Sequence, residues 1–257
     1  MNTGNALQAS AQRPVTIRFP HIDAAGIMFY PRYFEILSQT FPEVSIATPP
    51  FAFRTEFKAP NRLGDALCIL YEAQGLQGGW SFSGRMQKTL HFAIRSLPGA
   101  VQPGPHAHAP GIAAYRAPPL SMGAWATDYT GFLQISRFFE LVNLAVEQWF
   151  ADELGMSFRD MHMSHHMGIP TVQMTTWGRG LPKIGDPVTM WIRPTRIGRR
   201  SLTYTTWLVS GGECLLRNEQ VVVFIKRSNE GVETIAIPAD IRARLEAGLG
   251  SNGREAV

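Results

Sequence analysis

Residues 23–35 read DAAGIMFYPRYFE, and residues 128–140, 105 positions later, read DYTGFLQISRFFE. Asp, Gly, Arg, Phe and Glu are identical between the two segments, and Tyr33 is matched by the similar Phe138. Each copy places an Asp before a Gly-broken turn that leads into an amphipathic helix. The unpaired N–H groups at the start of such a helix can bind an oxyanion beside the carboxylate. The repetition predicts two copies of one domain in a single chain.

The rest of the chain repeats as well. Gly64-Asp65 recurs as Gly185-Asp186, each pair opening a predicted strand, and residues 78–82 are matched by residues 198–202. The offset grows from 105 to 121 at the Gly-Asp pair, so the second copy carries sixteen extra residues, largely within 152–167. Each copy reads as a short strand, an Asp turn, a helix and about four strands. This order predicts an α+β fold with antiparallel strands and not alternating βαβ units.

The repeat also predicts the domain boundaries. We expect a first domain over residues 14–97 and a second over residues 121–249, the latter ending in a short helix that the first copy lacks. Residues 98–120 contain six prolines and three glycines, which is typical of a linker. Residues 1–13 and 250–257 are predicted to be flexible tails.

Composition excludes several classes of protein. The chain of 257 residues is 45% apolar and 17% charged, as in ordinary globular proteins, and no apolar run reaches the ~18 residues that span a bilayer. The N-terminus does not resemble a signal peptide, and the two cysteines form no disulfide framework, so a cytoplasmic protein without membrane contact is expected. The net charge of +4 suits an anionic small ligand but is too diffuse to favour nucleic acid.

Residues 21–35, HIDAAGIMFYPRYFE, closely resemble the signature of 4-hydroxybenzoyl-CoA thioesterase-like hotdog proteins, and the resemblance extends over nearly all of residues 14–95 and 121–249. The second copy departs from that signature at Tyr129, Thr130, Gln134 and Ile135. The resemblance implies a tandem (double) hotdog, each unit an antiparallel sheet wrapped around a central helix, with the two units forming a pseudo-dimer within the chain. Sites would lie at their interface, and assembly into a homo-oligomer of pseudo-dimers is compatible with the family.

The same resemblance implies an acyl-CoA thioesterase that hydrolyses a thioester to free acid and CoA. Asp23 matches the family's catalytic Asp and would face the second repeat, and Asp128 is its counterpart facing the first. The carboxylate would act either as a general base toward water or as a nucleophile that forms a mixed anhydride. The backbone N–H of Tyr30 would stabilise the developing oxyanion. Coenzyme A enters as part of the substrate, and no other cofactor is expected.

Contacts to the substrate are predicted in two places. Gly26 lies in the Asp turn, and a basic segment later in the chain offers guanidinium groups that match the phosphates of coenzyme A; it comprises Arg199, Arg200 and Ser201. The alternative interpretation is that both arginines are solvated at a strand start. Arg32 and Arg137, preserved in both copies, are expected to pair with carboxylates for structural reasons.

Two groups of histidines invite a metal hypothesis that the sequence does not favour. His106 and His108 lie in the linker, and His162, His165 and His166 lie in the sixteen-residue expansion, in both cases without the cysteines or firm ligand geometry of a zinc site. No metal is therefore expected. The expansion is better interpreted as a lid over an acyl pocket, where Met161, Met163 and Met167 would adapt to the substrate.

Other readings remain open for the Asp motif. An Asp before a helix is a favoured N-cap worth ~1 kcal/mol without any catalysis. The departure of the second copy from the signature would suit a non-catalytic protein that binds or senses acyl-CoA. Hydratases and dehydratases on the same fold use a His with an Asp or Glu, and His21 lies two residues before Asp23, although their His-bearing signature is not visible.

Overall fold

The computed structural model describes residues 10–74, 79–97, 99, 114–228 and 231–250. The predicted tails at residues 1–9 and 251–257 lie outside the described residues. So does most of the predicted linker, residues 98 and 100–113, together with His106 and His108.

Both halves follow the order that the sequence predicts. The first half consists of strand β1 (Ser10–Thr16), helix α1 (Tyr30–Thr40) and strands β2 (Phe51–Phe57), β3 (Ala66–Gln74), β4 (Gly79–Met86) and β5 (Thr89–Ser96). The second half begins with the short strands β6 (Tyr115–Arg116) and β7 (Leu120–Ser121), followed by helix α2 (Ile135–Asp152) and a π-helical turn (Asp160–Ser164). It continues with β8 (Met167–Gly168), β9 (Thr171–Gly178), β10 (Pro187–Ile197), β11 (Ser201–Ser210), β12 (Glu213–Val223), β13 (Ile225–Ser228), β14 (Gly231–Thr234) and helix α3 (Ala239–Gly250). Short 3-10 turns at Phe19–His21 and Ala124–Ala126 precede the two Asp motifs.

The predicted boundaries are wrong at the start of each half. Residues 10–13, assigned to the tail, belong to β1 and pair with β3, and residues 115–116 and 120, assigned to the linker, pair with β10. β1 is an edge strand with one exposed face, so its polar residues Gln12 and Arg13 do not show the hydrophobic pattern of a buried strand. The hydrogen bonds to β3 satisfy the backbone N–H and C=O groups of residues 10–13, and this pairing makes them a strand despite their polar side chains.

One antiparallel sheet runs through both halves in the order β1-β3-β4-β5-β2-β9-β12-β11-β10-β6, and β7 also pairs with β10. The halves join where β2 pairs with β9. At this junction Arg54 lies opposite Thr175, the residue 121 positions later, which is the offset between the repeats. Equivalent positions therefore meet each other at the centre of the sheet, as a two-fold arrangement requires.

The two central helices show the same symmetry. The rings of Phe34 in α1 and Phe139 in α2, 105 positions apart, pack with their centroids 4.4 Å apart. Arg32 forms ion pairs with Glu35 at 2.6 Å and with Glu140 at 2.9 Å, and Arg137 pairs with Glu140 at 2.7 Å. Both arginines thus pair with carboxylates at the interface of the halves, which confirms the expectation for Arg32 and Arg137.

The loops that precede β3 and β10 form equivalent hydrogen bonds in the two halves. Ile17 N–H donates to the carbonyl of Asp65 at 2.8 Å, and Met122 N–H donates to that of Asp186 at 2.9 Å. The glycine before each Asp has φ of +87°, a left-handed conformation that a residue with a Cβ adopts only under strain. The two halves are therefore copies of one structural unit.

Helix α2 is the longer of the two central helices and carries the predicted apolar face. Its buried side chains include Phe138, Leu141, Val142, Trp149 and Phe150, and Gly155, with φ of +66°, lies just beyond its end. Helix α3 packs near β10 and buries Ile241 and Leu245. Within the described ranges, no helix combines the length and apolar character needed to cross a membrane.

Candidate active site

A cavity of about 610 Å³ lies between the two halves. The first half contributes Asp23 and its turn, the start of α1 and the loop after β2. The second half contributes residues of α2, the π-helical turn, β8 and β9, and strands β11 to β14. Most of the lining side chains are apolar, and the size is typical of a small-molecule site. Asp23 lines this cavity together with residues of the second half, and its role as the site's carboxylate stays a prediction.

Asp23 is held by its own turn. Its Oδ1 accepts hydrogen bonds from the N–H of Ala25 at 2.8 Å and from the N–H of Ile27 at 3.3 Å. Gly26, with φ of +75°, donates its N–H to the Asp23 carbonyl at 3.0 Å. Gly26 therefore shapes the turn, and it is not among the described residues that line the cavity. One carboxylate oxygen is engaged by the loop, which fixes the orientation of the other.

The N-cap interpretation of Asp23 is wrong. Helix α1 begins at Tyr30 with Phe29 as its N-cap, so Asp23 precedes the first helical residue by seven positions. The N–H of Phe29 donates to the carbonyl of His21 at 2.9 Å, which folds the segment before the helix back on the Asp loop. The carboxylate is thus positioned beside the cavity and does not cap helix α1.

The start of α1 offers an oxyanion donor at the cavity. Tyr30 lines the cavity, and no acceptor for its backbone N–H is found in the described part of the chain. The next residue is Pro31, which has no N–H. Of the first two helical residues, Tyr30 is therefore the one with a backbone N–H to donate. The Tyr30 side chain reaches into the second half, where its hydroxyl donates to the carbonyl of Phe139 at 3.0 Å.

Burial raises the pKa of the Asp23 carboxyl above its usual range. The hydrogen bonds from Ile27 and Ala25 act in the opposite direction, as do the positive charges of His162 and Arg227. Arg227, in β13, also donates from Nη1 to the carbonyl of Ala25 at 3.3 Å and so ties the second half to the Asp23 loop. A partly desolvated carboxylate with a raised pKa is a better base than one in water.

Asp128 has the same turn and a different environment. Its Oδ1 accepts hydrogen bonds from the N–H of Thr130 at 2.8 Å and of Phe132 at 3.2 Å, and Gly131 has φ of +82°. Asp128 is exposed, however, and does not line the cavity. Desolvation is the largest single effect on Asp128 and acts to raise its pKa, but the hydrogen bonds from Thr130, Phe132 and Gly131 together outweigh it, so the pKa of Asp128 is lowered. The second copy therefore retains the loop but not the buried carboxylate.

Packing of the first half explains this asymmetry. In the second half, Tyr204 and Gln220 pair across β11 and β12 and line the cavity. Gln220 lies opposite Met174, and its counterpart Ser96 lies opposite Phe53, the residue 121 positions before Met174. The partner of Ser96 in β4 is Trp80, whose N–H donates to Ser96 Oγ at 2.7 Å, so Trp80 is the counterpart of Tyr204. The Trp80 ring packs 6.0 Å from the ring of Phe53 and 5.6 Å from that of Phe82, so aromatic side chains pack against one another at this place in the first half.

The α-helices show the same difference. Val146 in α2 lines the cavity, and the residue 105 positions earlier is Phe41, directly after α1, which is fully buried and whose ring packs 5.3 Å from that of Phe82. A site at Asp128 would need the interior of the first half, and aromatic side chains fill that interior.

The predicted phosphate-binding segment lies away from the cavity. Arg199 and Arg200 are exposed in the turn between β10 and β11, and neither they nor Ser201 line the cavity. Arg200 donates from Nη1 to Thr234 Oγ1 at 3.1 Å, and Thr234 belongs to β14, the strand whose first residues line the cavity. These arginines are therefore next to a cavity wall and not in it.

Other cations line the cavity and were not predicted. Lys58 and Arg62 lie in the loop after β2, and Arg227 lies in β13. No motif marks Lys58 or Arg62, because loop residues carry no periodic signal. Arg227 follows a predicted apolar strand with a basic end, which is the only trace of it in the sequence.

The expansion of the second copy contributes His162 to the site. His162 and Phe158 line the cavity, while Met161 and Met167 are buried and Met163 is exposed. Those buried methionines belong to the core and do not cover the cavity as the lid interpretation requires. Among the described residues, no cluster of three or more His, Cys, Asp or Glu side chains is placed to hold a metal ion.

Comparisons with known proteins address the fold. No protein-family model matches the chain, and no curated protein sequence matches it. Among solved structures, a putative oleoyl thioesterase from Lactobacillus plantarum has a TM-score of 0.63 at 11% identity, covering 86% of this chain and 97% of its own. An acyl-ACP thioesterase from Bacteroides thetaiotaomicron has a TM-score of 0.58 at 11% identity, covering 84% and 98%.

A 12:0-ACP thioesterase from Umbellularia californica is also similar, with a TM-score of 0.58 at 10% identity over 83% of this chain and 94% of its own. At these identities the similarity establishes the architecture alone. Each of these three proteins is matched over nearly its whole length, across both halves of this chain. The chain therefore has an α+β tandem hotdog fold, in which two hotdog units pair within one polypeptide.

Proposed function

We propose that this chain hydrolyses acyl-CoA thioesters to a free acid and CoA, as a relative of the 4-hydroxybenzoyl-CoA thioesterase-like hotdog proteins that its signature resembles. The observation that carries the proposal is the position of Asp23. Its partly buried carboxylate lies on a cavity of about 610 Å³ that also receives Tyr30 from the start of a helix. A base beside an oxyanion donor at an apolar pocket is what acyl transfer requires.

The chemistry follows from these groups. A thioester carbonyl is electrophilic, and its thiolate leaving group needs little help, so one carboxylate suffices for activation of water or for direct attack. The carbonyl oxygen would lie against the N–H of Tyr30, where the helix start favours negative charge. Loss of one such donor typically costs about 10²–10³ in kcat.

The positively charged side chains at the cavity favour a substrate whose acyl group is attached to a carrier that contains phosphate groups. Lys58, Arg62 and Arg227 line the cavity, so the carrier would reach Asp23 past positive charge. The matched structures named for acyl-ACP thioesterases point to a second carrier, since ACP presents its acyl group as a thioester too. Exposed Arg199 and Arg200 would then contact the outer part of the carrier, next to β14.

A second candidate function is hydration or dehydration at carbon. The specific observation is that Asp23 and His162 line one cavity, because a His with an acidic residue is the pair that such enzymes use. Incubation with a 2-enoyl-CoA distinguishes the two: hydration consumes the enoyl absorbance without releasing thiol.

The test is release of free thiol from a panel of benzoyl, hydroxybenzoyl, short-chain and long-chain acyl groups, each on CoA and on ACP. Wild type is compared with Asp23→Asn and with the matched variant Asp128→Asn. We expect turnover that falls about 10²–10⁴-fold in Asp23→Asn and stays within twofold in Asp128→Asn. Binding of CoA ligands without turnover would instead establish a sensor, and turnover unaffected by Asp23→Asn would remove Asp23 from the mechanism.

A further inference from the structure

We infer that His162 is a second catalytic residue, which holds the attacking water against Asp23. The inference rests on the proposed hydrolysis at this cavity. His162 comes from the π-helical turn of the second half, whereas Asp23 comes from the first, so the two halves would each supply one group to the water. The first copy has no counterpart of this histidine, because it lacks the sixteen-residue expansion.

The imidazole of His162 is held in place by its neighbours. Its ring makes an edge-to-face contact with Phe158 at 5.9 Å between centroids. On another side lies Gly168, where an added Cβ would be only 3.6 Å from His162 Cε1. A ring packed in this way between an aromatic side chain and a glycine backbone has a defined orientation toward the cavity.

The Nδ1 atom of His162 lacks a protein partner. It is buried and, within the described part of the chain, forms no hydrogen bond. Buried polar nitrogens in proteins are usually satisfied by protein or by ordered water. A neutral imidazole has one nitrogen that accepts a hydrogen bond and one that donates. Because Nδ1 has no exposed surface, a cavity water would donate to Nε2, which is not among the buried unpaired atoms of the described residues, and Asp23 lines the same cavity.

The charges around the pair support an interaction between them. Arg227 from β13 acts to lower the pKa of Asp23, and His162 would do the same when protonated, so both side chains are near enough to influence the carboxylate. Lys58 and Arg62 face the cavity from the loop after β2. Asp160, on the same turn as His162, accepts a hydrogen bond from Ser157 Oγ at 2.7 Å.

The step balances without any further reactant. The water oxygen bonds to the thioester carbonyl carbon while one water proton passes to the Asp23 carboxylate and the other stays hydrogen-bonded to neutral His162. The C–S bond then breaks, its electron pair leaves on sulfur, and Asp23 returns its proton to the thiolate. The products are the carboxylic acid and the free thiol, and His162 ends in its starting state.

The test uses two variants of the full chain, His162→Gln and His162→Gly, with His165→Gln as the matched control because His165 is exposed in the same segment. For His162→Gly we expect kcat to fall about 10²-fold with KM changed less than about threefold, because a water that is no longer held in line with Asp23 and the carbonyl carbon loses about that much in rate. Added imidazole should restore at least about a tenth of the lost rate. Pyrazole, a ring of the same size but a much weaker base, should not.

The pH profile gives a second readout. Wild type should lose kcat at acidic pH as the Asp23 carboxylate takes up a proton, and His162→Gln should keep this acidic limb while kcat falls, because Asp23 remains the base; a variant that merely disturbed the Asp23 loop would move the limb. Equal rescue by pyrazole and imidazole, or wild-type kcat in folded His162→Gly, would overturn the role of His162. Wild-type protein without thiol release would instead overturn the proposed function, so the two failures are distinguishable.

Discussion

The two Asp→Asn substitutions should change stability in opposite directions at neutral pH. In the folded chain burial raises the pKa of Asp23, so ionising this carboxyl costs free energy that the unfolded chain does not bear. The cost is absent below the ordinary Asp pKa of 3.8 and is fully present once the pH exceeds the folded-state pKa. Asn can still accept the hydrogen bonds from Ala25 and Ile27, and it carries no charge to desolvate. Asp23→Asn should therefore stabilise the protein.

The ionisation of Asp128 affects stability in the opposite direction. Desolvation acts to raise its folded-state pKa, but several hydrogen bonds together outweigh it and lower the pKa, so Asp128 contributes stability above the unfolded pKa and loses it as the pH falls through the folded pKa. Because Asp128 is exposed, its contribution is discounted to at most about 0.5 kcal/mol. Asp128→Asn should lower Tm by about 1–2 °C at pH 7, given about 2–4 °C per kcal/mol for chains of this size.

Thermal unfolding at pH 3 to 8 measures both effects. For Asp23→Asn, every tenfold change in the proton affinity of the folded state corresponds to about 1.4 kcal/mol, or about 3–6 °C in Tm. We expect its Tm advantage over wild type to grow from near zero at pH 3 to its full value at pH 7. A Tm below that of wild type at pH 7 would refute the view that Asp23 is held desolvated at a cost in stability.

Three further predictions follow from the cavity and its surroundings. Arg227→Met should raise the pKa of Asp23 further and move the acidic limb of kcat/KM to higher pH, as measured in a pH–rate profile. Gly84→Ala should lower stability by about 1–3 kcal/mol, or Tm by about 2–12 °C in thermal unfolding, because its Cβ would meet the Phe92 ring. Val146→Trp should fill the cavity and reduce kcat/KM for the bulkiest acyl thioesters at least about tenfold, with less effect on the shortest, in the thiol-release assay.

Each of these has a matched control. Lys226→Met removes an exposed charge beside Arg227 and should leave the acidic limb in place. Gly248→Ala, where nothing lies within 4 Å of the new Cβ, should not destabilise helix α3. Leu144→Trp alters a side chain of α2 that is 45% exposed and should leave all substrates unaffected. A control that behaves like its partner would contradict the local explanation given for that site.

The architecture could be predicted from the sequence because the repeat includes glycines at positions whose backbone conformation few other residues adopt. Gly26 and Gly131 both have positive φ, as do Gly64 and Gly185, and such positions are recognisable without a structure. The paired helices follow from the apolar period of α1 and α2. The first four residues of β1 were assigned to the tail because an edge strand with alternating exposure needs little hydrophobic character.

The site could be predicted only in part. The Asp23 turn was visible as a motif, but the burial that separates Asp23 from Asp128 depends on packing across the two halves. The correspondence of Tyr204 and Gln220 with Trp80 and Ser96 is recognisable only once the strands are paired. For the same reason, His162 could not be connected to Asp23, which lies 139 residues earlier and meets it only through the fold.

The central claim is that each chain has a single working site, made of Asp23 from the first half and the cavity of the second. The most direct measurement is calorimetric titration with an acyl-CoA analogue whose thioester sulfur is replaced by methylene, carrying the acyl group that wild type turns over best. We predict one site per chain, retained in Asp128→Asn and weakened at least about tenfold in Val146→Trp. Two equivalent sites per chain, or tight binding that survives Val146→Trp unchanged, would contradict the account.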